Sequence, residues 1–96
     1  MPAPRYIPPE FAAACALLHP DLMLDHATVE DAITWAFQAS RPADKPAIRA
    51  FIDRLLQGPY STAELKGVLN RALPDWFVID AKGARALLEH MRRALD

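Results

Sequence analysis

The sequence predicts an all-α fold, a compact bundle of about five short helices, and three observations carry that expectation. Apolar residues recur at helical spacing in five separate stripes. No stretch alternates at the strand period for long enough to build a sheet. Prolines and helix-capping residues stand at the boundaries between the stripes, where helices must start and stop. Ninety-six residues give one domain, 1–96, with 1–8 expected as a flexible N-terminal segment. A chain that is 52% hydrophobic and 24% charged has the composition of an ordinary soluble globule, which disfavours disorder.

The first helix is expected over 9–18. Prolines precede it, and Phe11, Ala14, Cys15 and Leu18 fall at i, i+3, i+4 and i+7. Pro20 ends it, because the residue before a proline is pushed out of the α region. The second helix runs from Val29 to about Ala39, with Thr28 as its cap and Glu30 and Asp31 at the positive end of the helix dipole. Its inward stripe is Val29, Ala32, Ile33, Ala36 and Phe37. A connector over 40–46 leads to a third helix, with Asp44 as the expected cap and Pro46 tolerated in the first turn. Ile48, Phe51, Ile52, Leu55 and Leu56 form its buried face, and Gly58-Pro59 stops it.

The fourth helix carries the clearest local signal. Ser61 and Glu64 have capping-box spacing, Tyr60 is placed to staple onto Leu65, and Leu65, Val68, Leu69 and Leu73 continue inward until Pro74. Residues 75–79 are too short an apolar run to classify by period and are read as an extended link packed on the core. Asp80 is the expected cap of a fifth helix. Its Ala84, Leu87, Leu88, Met91 and Leu95 face inward while Arg85, Arg92 and Arg93 face water. Short connectors favour antiparallel packing of neighbours.

Short motifs add to this outline. His19-Pro20-Asp21-Leu22 is followed by Asp25 and then by the Thr-capped start Thr28-Val29-Glu30-Asp31-Ala32-Ile33. Further on come Arg49-Ala50-Phe51-Ile52-Asp53-Arg54-Leu55-Leu56, Ser61-Thr62-Ala63-Glu64-Leu65, and a last helix from Ala84 to Leu95. From about Phe11 to Leu95, this order resembles the small immunity proteins of bacterial contact-dependent growth inhibition systems. That family often has an aromatic pair before the His and a Trp after the Asp, where this chain has Leu17-Leu18 and Leu22. The resemblance implies a binding role without activity of its own. Such a protein caps the toxic C-terminal domain of a secreted effector, often a nuclease.

Charge is unevenly placed along the chain. Residues 1–40 hold Glu10, Asp21, Asp25, Glu30 and Asp31 against Arg5 alone, and residues 41–96 hold ten Lys and Arg against seven Asp and Glu. An acidic half steers a basic partner. A nucleic-acid binder is more often basic overall. Taken with the resemblance, this points to Asp21, Asp25, Glu30, Asp31 and Trp35 as toxin-binding residues, with Glu64 and Trp76 as weaker members. Trp35 lies off the Val29/Ile33/Phe37 line, so it faces solvent or a second seam.

Other chemistries find less support. His19 and His26 stand seven apart with Pro20 between them, which excludes helical i, i+4 chelation, and no Cys-x-x-Cys or His-Glu-x-x-His occurs. His19-Pro20-Asp21 uses the residue types of an ordinary helix-ending turn. Cys15 lies on an apolar stripe, and no Gly-x-Ser-x-Gly or glycine-rich phosphate loop is present. The chain is therefore expected to be neither an enzyme nor a carrier of a metal or other cofactor, and to have no small-molecule substrate, nucleic acid or membrane as partner. Its lone cysteine and lack of a signal-peptide pattern place it in the cytoplasm. The alternative is a small helical regulator or adaptor, a weak helix-turn-helix DNA binder whose recognition helix offers Lys66, Asn70 and Arg71.

Overall fold

The computed structural model describes residues 6–18, 26–73 and 81–95. The expected turn at His19-Pro20-Asp21, the extended link over 75–79 and the Asp80 cap lie outside the described residues. Among the described residues the chain forms five α-helices and no strand: α1 (Pro9–Ala16), α2 (Val29–Gln38), α3 (Lys45–Gln57), α4 (Thr62–Ala72) and α5 (Ala81–Ala94). The radius of gyration, 12.4 Å, is that of a closed domain, for which about 12.5 Å is expected at this length.

Each stripe turns inward much as its spacing demands. Phe11, Ala14, Cys15 and Leu18 from the first stripe join Ala32, Ile33, Ala36 and Phe37 of α2 and Ile48, Phe51, Ile52 and Leu55 of α3 in one cluster. Leu65, Val68 and Leu69 of α4, with Leu73 just past its end, and Ala84, Leu88 and Met91 of α5 complete it. Phe11 sits at its aromatic centre. Its ring lies 5.0 Å from that of Phe51 and 6.0 Å from that of Phe37, tilted against both, the geometry that aromatic quadrupoles favour. Val29 departs from the expected stripe: as the first residue of α2 it is 38% exposed. Ile7, within the segment expected to be flexible, is half-buried against the core.

The packing order differs from a chain of sequential hairpins. Both α1 and α5 pack on α2, α3 and α4, whereas α2 with α3 and α3 with α4 make little contact despite their short connectors. Between α3 and α5 the bonded pairs run in opposite order along the two helices. Arg49 Nη2 donates to the Leu95 carbonyl (2.9 Å), Arg92 Nε to Asp53 Oδ1 (2.8 Å) and Arg85 Nη1 to the Leu56 carbonyl (3.1 Å), so these helices are antiparallel. Leu56 O is among the last carbonyls of α3, which have no partner within the helix, and a cation suits that end of the dipole. Arg85 and Arg92 are thus half-buried ties to α3 and do not face water as expected; Arg93 does.

Helix starts obey the capping rules in two cases and break them in one. Thr28 Oγ1 accepts from Asp31 N (3.1 Å) at the start of α2. At α4 the capping box is complete: Glu64 N donates to Ser61 Oγ (3.2 Å) and Ser61 N to Glu64 Oε1 (3.1 Å), while Tyr60 and Leu65 are both buried as a staple requires. Asp44 precedes α3 but does not cap it. Its backbone is already α-like (φ −88°, ψ −21°) and its carboxylate accepts from Arg41 Nε (3.0 Å) and Nη2 (3.5 Å) instead. At the other end of α3, Gly58 is extended, as a residue before proline must be. A Cβ there would sit 2.7 Å from Tyr60 Cδ2, so the buried tyrosine ring needs a glycine beneath it.

Candidate functional site

The outer face of α2 gathers the expected residues that the structure describes. Ala32, Ile33, Ala36 and Phe37 bind this helix to the core, and the 100° step per residue then turns Glu30, Asp31 and Trp35 away from it. Glu30 and Asp31 are exposed, and among the described residues neither carboxylate has an ion-pair partner. Trp35 is 44% exposed, an unusual state for so large an apolar side chain. Asp21, Asp25 and Trp76 lie outside the described residues. Glu64 stands apart from this face in its role, being half-buried with a carboxylate oxygen committed to the start of α4.

Two histidines that sequence reasoning did not assign support this face. The His26 ring lies 6.0 Å from the Trp35 ring at 48°, flanking the indole from the segment before α2. His90 of α5 reaches under the first turns of α2, with Nε2 2.9 Å from the Glu30 carbonyl and 2.8 Å from Thr34 Oγ1. A carbonyl only accepts, so Nε2 carries the proton in this arrangement. His90 thereby ties the acidic turn to the far end of the chain. No signal in the sequence announces a contact across 60 positions; for His26 the hint was only its closeness to the Thr28 cap.

The remaining polar and apolar features are modest. Among the described residues no group of three or more His, Cys, Asp or Glu is placed to hold a metal ion. Cys15 is buried, and burial pushes its thiol up to about 12, which leaves almost no thiolate near neutral pH. A cleft of about 200 Å³ lies between α1 and the connector after α2, with Ala13, Ala14, Leu17, Ala39, Glu10 and Asp44 among its lining residues. It is smaller than the roughly 300 Å³ at which ligand pockets begin. On α4, Asn70 and Arg71 are exposed and Lys66 is half-buried. Among the described residues no helix is long and apolar enough to cross a membrane.

The fold and this surface define a small all-helical protein with an acidic, aromatic outer helix face. Comparison with protein-family models, with characterised proteins and with solved structures finds no match to the chain. Chemically, exposed carboxylates can draw a cationic surface, and an exposed indole offers apolar contact area beside them.

Proposed function

We propose that this protein is an immunity protein that binds and neutralises the C-terminal toxin domain of a contact-dependent growth inhibition effector. The toxin is a nuclease, and the block is occlusion of its active cleft. The observation that carries this reading is the outward display of Glu30, Asp31 and Trp35 on α2, a helix otherwise fixed to the core by four buried side chains. A nuclease must present positive charge to its substrate, and an acidic surface competes for that charge. The order of motifs from Phe11 to Leu95 supports the same role. A typical interface uses about 20 to 30 residues a side, so the interface takes in more than these three, and the sequence offers Asp21, Asp25 and Trp76 as further candidates.

Co-expression tests it. An immunity gene is expected to lie directly downstream of a large secreted effector gene, and the chain is produced with the tagged C-terminal domain of that effector. The expected result is a complex that survives purification and restores growth to cells making the toxin domain. Failure of the two chains to co-purify, with toxicity undiminished, overturns the reading.

A further inference from the structure

The outer face of α2 also indicates the chemistry of the group it receives. We propose that Trp35 and Asp31 form an acceptor for one arginine side chain of the partner, with the guanidinium stacked on the indole and forked onto the carboxylate. This rests on the reading of that face as the toxin-binding surface. Asp31 and Trp35 are one turn apart, so their Cβ atoms lie about 5 to 6 Å from each other. A long helical side chain leans toward the N-terminus, which carries the Trp35 indole over the turn that bears Asp31. Trp35 is 44% exposed, His26 flanks it at 6.0 Å, and the neighbouring Glu30 adds a second exposed carboxylate without an ion-pair partner among the described residues.

Charge selects a cation, and shape selects among cations. A planar, weakly hydrated guanidinium stacks on an aromatic face and presents paired N–H donors to a carboxylate, whereas a compact ammonium is strongly hydrated and lacks the fork. An arginine therefore engages both elements of this face at once. Lysine engages one at a time.

The test uses the isolated full chain, so its result is independent of whether the toxin domain binds. N-acetyl-arginine-N-methylamide is titrated into isotope-labelled protein, with the lysine and norleucine analogues in parallel. The reporters are the Trp35 indole N–H, identified through Trp35→Phe, and the His26 ring protons. The arginine probe is expected to produce a saturable shift of both, with the lysine analogue about threefold weaker and the norleucine analogue without saturation. Asp31→Asn should weaken the arginine probe by roughly two- to fivefold, and Trp35→Leu should abolish the His26 shift. An absent or unsaturable shift, equal response to the lysine or norleucine probe, or indifference to Asp31→Asn overturns the proposal. A failed co-purification with the toxin domain would instead overturn the immunity reading and leave this titration unaffected.

Discussion

On the outer face of α2, Glu30 and Asp31 stand exposed with no ion-pair partner among the described residues, whereas across the seam between α3 and α5 the residues Asp53, Arg85 and Arg92 are half-buried and bonded. The same residue types serve two ends. In the seam, charge closes the helix ends and fixes the antiparallel register of α3 and α5. On α2, only the backbone of the acidic turn is held, by Thr28 from within and His90 from α5, and the carboxylates are left for something else. With the backbone of this turn already hydrogen-bonded, a partner that bound here would have side chains to order and not backbone.

Changes that separate these two regions range from severe to barely detectable. The largest effect is expected beneath both of them, at Phe11, where α1 meets Phe37 of α2 and Phe51 of α3. Phe11→Ala should cost about 3 to 5 kcal/mol, from lost transfer energy and the cavity left behind. Urea denaturation measures it. A cost below about 1 kcal/mol would mean that α1 is not the common support of the two regions.

Next in size is an alkaline effect at Cys15, one turn further along the same stripe. Its thiol titrates near 12 in the folded protein against a reference of 9.0, because burial disfavours the thiolate. A folded-state value raised in this way means the unfolded chain loses its proton first as pH rises. Stability is therefore independent of this group below about pH 9 and falls between that pH and about 12, by at most about 1.4 kcal/mol per pH unit. Cys15→Val should lack that component, and the difference between the two stability profiles isolates it from tyrosine and lysine titration. Parallel profiles through that window would contradict the burial of the thiol.

How much of each region was legible in the sequence follows from the range of the interactions. The five stripes, the Thr28 cap and the Ser61/Glu64 box depend on residues a few positions apart, and periodicity or spacing reveals them. The outward turn of Trp35 follows from the same arithmetic. The fates of Arg85 and Arg92 do not, because a long basic side chain on a helix flank looks solvated until the neighbouring helix is placed. Asp44 shows the same limit locally. Its spacing fits a cap, but Arg41 three residues earlier takes its carboxylate. The bond from His90 to Glu30 is invisible for the reason that makes it useful, since it joins opposite parts of the chain.

The contrast between the two helix starts gives a smaller prediction. Ser61→Ala removes a formed capping bond and should cost about 1 kcal/mol, whereas Asp44→Ala removes only a pairing with Arg41, whose side chain is 82% exposed, and should cost less than about 0.5 kcal/mol. Thermal unfolding of the two variants compares them directly. Equal losses would indicate that Asp44 caps α3 in solution. In the seam, a double-mutant cycle on Asp53 and Arg92 should return a coupling of about 0.2 to 1 kcal/mol, since both side chains are partly solvated.

A modest effect on stability, and the sharpest on binding, is expected at the acidic turn. Replacing Glu30 and Asp31 together with Gln and Asn keeps the Thr28 cap, which uses the backbone N–H of Asp31, and removes two exposed charges from the positive end of the helix dipole. Stability should fall by roughly 0.6 to 2 kcal/mol, at about 0.3 to 1 kcal/mol for each of the two charges. Association with the toxin domain should slow by about tenfold at low salt, while dissociation changes less. Electrostatic steering acts before contact and is screened over a Debye length of about 8 Å at physiological ionic strength, so the difference between the two proteins should shrink as salt rises. Stopped-flow association at several salt concentrations reads this out. If the double variant associates at the native rate under all of them, the exposed carboxylates of α2 do not steer the partner, and the opposition between a structural seam and a recognition face no longer explains where this chain keeps its charge.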